Sequence, residues 1–290
     1  MKCNLCPRKC NMDRAVQPGF CGAPKNLKVA KVGLHFWEEP VISGTRGSGT
    51  IFFSGCNLDC VFCQNYDLSH EIVGREITVQ RLADIFKEQE KKGAHNINLV
   101  TPSHYVDKII EALDIYKPSI PVVYNTNGYD TVENIQKLKG YVDIYLPDFK
   151  YVSSELSGKY SGAKNYFEVA SASIREMLNQ QPVNEFDSDG MMKKGVIIRH
   201  MVLPGCMSDS CQVLDYIKDN FGADTYVSVM SQYTPGLYLK NYPEIDRKLK
   251  PLEYKYVINH FIKIGLKNGF SQDLTSASAE YIPPFDLEGV

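Results

Sequence analysis

Short apolar runs alternate along this chain with longer stretches in which apolar residues recur every three or four positions. TIFFS (50–54), NINLV (96–100), IPVVYN (120–125), YVDIYLP (141–147), GVIIRHMVLP (195–204) and TYVSVMS (225–231) have the length and the Val, Ile and Tyr content of strands. Between them, Val79, Leu82, Ile85 and Phe86 keep helical spacing after a cap at Thr78. Val106, Ile109, Ile110 and Leu113 do the same, as do Phe167, Ala170, Ile174 and Met177, and then Val213, Leu214 and Ile217. Strands alternating with helices of this length predict an α/β fold built on a parallel sheet. Six such units predict an open or partial (β/α)6 barrel.

Two regions break the alternation. Residues 1–35 form a basic, cysteine-rich element with little room for a core of its own, which leaves 36–290 as the barrel with a C-terminal extension. The polar stretch QQPVNEFDSDGMMKKG (180–195) predicts a surface loop, and Pro283 and Pro284 forbid a regular helix in the tail. SGTRGSG (43–49) precedes a strand and lacks a Lys-Ser/Thr ending, so it reads as a flexible lead-in rather than a phosphate loop. HFWEEP (35–40), with the only tryptophan, reads as a packing segment.

At 290 residues, 43% hydrophobic and 23% charged, the chain has ample core without disulfides. The formal charge of -2 argues against nucleic acid as a partner. No apolar run suffices to cross a membrane, and MKCNLCPRKC lacks the apolar core of a secretory signal. A cytoplasmic location is expected, and there nine cysteines should be thiols whose clustering points to metal.

The first strand runs into GCNLDCVFCQN, with Cys56, Cys60 and Cys63 spaced C-x3-C-x2-C. That loop falls at the C-terminal edge of the sheet, where parallel α/β folds gather their ligands. Three thiolates can wrap a four-iron cluster and leave one iron open to a ligand that is not protein. Zinc completed by a distant ligand, or plain buried thiols, are the competing readings.

With an aromatic residue, Phe62, before its last cysteine, the array resembles the signature of the radical S-adenosylmethionine (SAM) superfamily. FFSGCNLDCVFCQN resembles the activating enzymes of glycyl radical enzymes, in a branch with a cysteine-rich N-terminus. The resemblance implies a 4Fe–4S cluster on Cys56, Cys60 and Cys63 and adenosylmethionine chelating the open iron. One-electron cleavage would then give methionine and a hydrogen-abstracting 5′-deoxyadenosyl radical. It further implies a one-electron donor such as flavodoxin or ferredoxin, and a glycyl radical enzyme as protein substrate.

Other strand ends carry the remaining candidates for cofactor binding. Where the activators show Gly-Gly-Glu, this chain has Thr101-Pro102-Ser103-His104, leaving Thr101, Ser103 or His104 to meet the ligand. Asn125-Thr126-Asn127-Gly128 stands where they show Asp-Thr-Asn-Gly. LPDFK matches their Leu-Asp-x-Lys pattern and supplies Asp148 and Lys150, the lysine suited to a methionine carboxylate. Arg199, inside an apolar strand, matches a family arginine and needs a charged partner.

Cys3, Cys6, Cys10 and Cys21 offer four thiols, enough for a closed zinc site or an auxiliary 4Fe–4S cluster. Cys206 and Cys211 read as structural thiols. A zinc-stabilised binding module, an electron carrier, and radical modification of a small molecule or peptide are the alternatives to activation.

Overall fold

A computed structural model describes residues 2–236, 238–272 and 283–290. In chain order it contains β1 (Leu27–His35), α1 (Pro40–Ser43), β2 (Ser48–Phe53), α2 (Tyr66–Ser69), β3 (Arg75–Ile77), α3 (Val79–Lys91), β4 (Ile97–Val100) and α4 (Val106–Ile115). Then follow β5 (Val122–Thr126), α5 (Val132–Lys137), β6 (Ile144–Pro147), α6 (Ser154–Ser161), α7 (Tyr166–Gln180), β7 (Glu185–Phe186) and β8 (Met192–Met201). The last elements are α8 (Met207–Phe221), β9 (Tyr226–Met230), α9 (Pro251–Ile264) and β10 (Asn268–Ser271).

Strands β2, β4, β5, β6, β8, β9 and β10 run parallel in that spatial order. Beyond β2 the sheet continues with β1 and β3, both in antiparallel pairings. With β10 at one edge and β3 at the other, the sheet does not close, and the fold is the expected partial barrel. Thr78 caps α3 as expected, its hydroxyl accepting the Arg81 N–H at 3.0 Å. Among the described residues, no helix is long and apolar enough to cross a membrane.

Two stretches differ from the sequence reading. Residues 27–35, grouped by sequence with the cysteine-rich element, form β1 and pair with β2 along nearly their whole length. Within 180–195, β7 and β8 make a short hairpin, closed where the Asp187 carboxylate accepts the Asp189 and Met191 N–H groups. In that hairpin β7 contributes only Glu185 and Phe186, too few residues to show the alternation that marks a half-buried strand.

The two-residue period of the strands sorts their side chains into two cores. Ile51, Leu99, Tyr124, Tyr145, Ile198 and Val227 pack against the helices. Val123, Ile144, Leu146 and Ile197 point to the other face and surround Ile42 of α1, which plugs the barrel interior. Continuing along the same face past the apolar plug, the residues become polar: Asn125, Asp148 and Arg199.

Segments far apart in sequence also meet on β1. Leu287 N–H donates to Ala30 O at 3.1 Å, and Val32 N–H to Glu288 O at 2.9 Å. Lys31 pairs with Asp286 and Glu288, each at 3.0 Å.

Gly128 lets the exits of β5 and β6 approach. It holds φ +79°, and a Cβ there would lie 2.2 Å from the Asp148 carbonyl oxygen. Gly128→Ala should therefore lower stability by about 2–3 kcal/mol, read as a shift in the urea unfolding midpoint. An unshifted midpoint would mean that the two loops are free to separate.

Candidate active site

Strand ends β2, β4, β5, β6, β8 and β9 open onto one cavity of about 230 Å3. Its wall includes Cys56, Cys60, Cys63, Phe62, Thr101, Asn125, Asp148, Lys150 and Arg199. Thus the structure brings together the cysteine triplet and five of the seven other side chains expected beside it. Phe62 is buried against the Tyr233 ring, with centroids 5.9 Å apart.

Each sulfur of the triplet has a hydrogen-bond partner. Asn127 Nδ2 and Leu58 N–H reach Cys56 Sγ at 3.4 Å each. Ser161 Oγ lies 3.0 Å from Cys60 Sγ, and the Ser69 hydroxyl 3.2 Å from Cys63 Sγ. Burial pushes all three thiols up, Cys60 to about 11 although Lys150 pulls it back. Thiols so placed keep their protons until a metal displaces them, and hydrogen bonds to sulfur then tune what the metal does.

Beside the thiols lies a buried ionic network. Arg199 Nε donates to Asp148 Oδ1 at 3.0 Å, Nη1 to Glu38 Oε2 at 3.1 Å, and Nη2 to Asn125 Oδ1 at 2.7 Å. Lys150 Nζ donates to Asp148 Oδ2 at 2.6 Å. Asn98 and Asn125 amides fill the other Glu38 oxygen, at 2.9 and 3.0 Å. Burial opposes a charge on Asp148, but Lys150 and Arg199 outweigh it and hold the carboxyl below its usual range. Burial likewise opposes the charge on Lys150, and Asp148 outweighs it. The partner that Arg199 requires is therefore double, Asp148 and Glu38.

Ser103 and His104 are not brought into the cavity. The Ser103 hydroxyl faces Thr126 Oγ1 at 3.4 Å, and His104 Nε2 is tied to the Ser54 carbonyl at 2.8 Å. The physical reason is the turn at Thr101, which holds φ +57°. A β-branched residue in the left-handed region costs of order 1–3 kcal/mol and is found mainly at ligand sites. Thr101 itself, rather than the residues after it, lines the cavity.

Glu38 was missed. HFWEEP reads as packing, yet its first acid enters the site. The signal was present in two adjacent carboxylates set among aromatic residues, since acids seldom enter apolar surroundings without a cationic partner.

Against the cysteine loop lies the N-terminal segment. Cys56 N–H donates to the Cys21 carbonyl at 3.2 Å. Gly55 holds φ +93°, and a Cβ there would lie 2.7 Å from that same oxygen. Arg8 donates to the Asn57 and Gly162 carbonyls at 2.7 Å each, and Arg14 to the His104 carbonyl at 2.7 Å. Cys3, Cys6, Cys10 and Cys21 are neighbours: burial pushes the Cys6 thiol up to about 11, and the other three add to the rise. Among the described residues, no three His, Cys, Asp or Glu side chains close on a single-ion site, so both cysteine groups are sets of neighbours rather than closed cages.

The Radical SAM superfamily model matches residues 50–205. Uncharacterized protein MJ0674 of Methanocaldococcus jannaschii is 34% identical over 258 residues, covering 85% of this chain and 70% of that one. Among solved structures, Streptococcus suis SuiB bound to S-adenosylmethionine superposes with a TM-score of 0.53 at 17% identity, over 78% of this chain and 50% of SuiB. The FeFe-hydrogenase maturase HydG from Carboxydothermus hydrogenoformans gives 0.51 at 16% identity, over 74% and 50%. The chain spans about half the length of these two structures, and the likeness is one of fold.

Removing the guanidinium should expose the cost of the network. Arg199→Met leaves Asp148 and Glu38 without their shared cation and should lower stability by about 3–5 kcal/mol in urea unfolding. Adding Asp148→Asn to that variant should recover part of the loss. A loss under about 1 kcal/mol would mean that the pairing is not desolvated.

Proposed function

Because the chain belongs to the radical SAM superfamily, we propose that it holds a 4Fe–4S cluster on Cys56, Cys60 and Cys63 and cleaves S-adenosylmethionine at the iron they leave free. The observation that carries this reading is the convergence, in one cavity at the strand ends, of three hydrogen-bonded thiols and a buried set of two acids and two bases. Soft thiolates suit iron, and the fixed charges suit an amino acid end. When bound, the cluster and adenosylmethionine supply one-electron cleavage of the sulfonium and removal of a hydrogen atom from a substrate.

This chain's own residues provide the setting. Lys150 has donors left after Asp148 takes one, and it faces the cavity as the partner for a carboxylate. Asn125 and Asp148 offer acceptors to an ammonium group. Phe62 and the apolar wall of Phe52, Val100, Met201 and Met230 exclude water from the bond to be broken.

The same proposal extends to the N-terminal quartet as a second metal site, zinc or an auxiliary 4Fe–4S cluster, and to flavodoxin or ferredoxin as electron source. Activation of a glycyl radical enzyme is the substrate reading, supported by the likeness of FFSGCNLDCVFCQN and LPDFK to the activating enzymes. A cytoplasmic setting accords with these reduced thiols.

Anaerobically reconstituted Cys60→Ser should lose about four irons per chain and at least about 100-fold in 5′-deoxyadenosine formation, more than the loss of an outer hydrogen bond causes. Undiminished cleavage would refute the cluster assignment. Cys6→Ser, assayed alike for metal, should lose the second site and keep the first. Incubation with candidate glycyl radical proteins should produce a glycyl doublet in electron paramagnetic resonance. Cleavage with no doublet would leave the chemistry standing and remove the activation reading.

A further inference from the structure

One wall of the cavity comes from far along the chain. Pro283 lines it beside Phe52, Leu68 and Val100. Phe285 packs on the same group of side chains, its ring edge-on to Phe52 with centroids 5.5 Å apart. The residues that follow run along β1. β3 takes the edge of that strand at Leu27, Lys28 and Val29, and Leu287 and Glu288 take it next, at the Ala30 carbonyl and the Val32 N–H. Residues 283–290 are thus a strap laid over β1 and the cavity side.

The strap is held lightly. Lys31 pairs with Asp286 and Glu288 at 3.0 Å each, but those carboxylates are 50% and 72% exposed. Ion pairs this exposed add little. Arg81 Nη2 contributes one more bond, to the Gly289 carbonyl at 3.1 Å. The walls opposite are strand ends, fixed by the sheet and by the network around Arg199. Space is short as well. The cavity measures about 230 Å3, whereas sites for a single drug-sized ligand run from about 300 to about 1,000 Å3. A wall has to move before cofactor and substrate are both seated, and the strap is the wall least firmly attached.

What takes its place must satisfy what it leaves. Moving the strap bares the Ala30 carbonyl, the Val32 N–H, the Lys31 ammonium and the buried apolar group of Ala30, Phe52, Leu68 and Val100. A small molecule has no main chain to offer the strand edge. An extended peptide adds to such an edge through its backbone while alternate side chains enter pockets. The strap itself is the example, with an aromatic residue on Phe52 and acids on Lys31.

We propose that the face of β1 beneath residues 283–290 is the docking surface for an extended peptide substrate, which displaces the strap by setting an aromatic side chain on Phe52 and carboxylates on Lys31. The inference rests on the cofactor reading made above, which makes the covered cavity an active site.

The test uses a fluorescent peptide of sequence PPFDLEGV, the full native chain and two full-length variants that loosen the strap. Phe285→Ala removes its ring, and Asp286→Asn with Glu288→Gln removes its charges without touching the core. Within one chain the strap competes at an effective concentration of order millimolar. The native chain should therefore bind the peptide weakly, and either variant at least about tenfold more tightly. Adding Lys31→Gln should cancel the gain, as should replacing the peptide's phenylalanine by alanine. Hydrogen exchange at the Val32 and Leu287 amides should quicken in both variants while Leu99 and Tyr124 stay protected. Binding that is equal across native chain and variants, or absent from all, overturns the proposal, as does a gain that survives Lys31→Gln. Neither measurement needs a cluster. Failed peptide binding in a chain that still forms 5′-deoxyadenosine after reconstitution removes this proposal alone. A reconstituted native chain that forms none removes the cofactor reading, and the peptide's role as substrate with it.

Discussion

Asp148 and Arg199 face each other across the ends of β6 and β8, joined by a backbone bridge as well as by their side chains. Only two residue pairs connect these strands below that point, so the ion pair sits where the sheet is thinnest. Neither charge could remain there alone, because desolvation without a partner costs several kcal/mol. Glu38 and Lys150 complete a set in which each charge has an opposite within about hydrogen-bond length. The strand ends are thereby held at fixed separation, and the cavity beside the cysteine loop takes its shape from them. A site organised this way presents oriented charges before any ligand arrives, which lowers the reorganisation that binding requires.

Much of this architecture was legible in the chain because it follows from short-range pattern. The six apolar runs are β2, β4, β5, β6, β8 and β9, strands buried on both faces and so nearly continuous in hydrophobic residues. β1 and β3 escaped because an antiparallel edge depends on which neighbour it finds. Arg199 announced its need for a counter-charge, and Asp148 was already a candidate from LPDFK.

What the sequence concealed has a common cause. Glu38 reaches Arg199 across 161 positions, and Ser161 reaches Cys60 across 101. Such contacts carry no periodicity, so only the assembled fold shows them. Ser103 and His104 illustrate the converse. They occupy the expected place in the chain after β4, but the left-handed turn at Thr101 directs His104 back to the Ser54 carbonyl, where it braces the start of the cysteine loop. Position along a strand end is thus a weaker guide than backbone conformation at the first residue beyond it.

The meeting of β1 with residues 286–290 bears on how the molecule is made. Contacts such as Lys31 with Asp286 span 255 positions, and closing so long a loop is slow compared with forming a helix or hairpin. Until it closes, Ala30 and Val32 expose backbone groups along a strand edge that another chain could occupy. Lys31, placed between them, puts a charge on that edge during the interval, and charges of this kind discourage edge-to-edge association. The same side chain anchors the tail's carboxylates, so a single lysine both charges that edge and fastens the completed sheet.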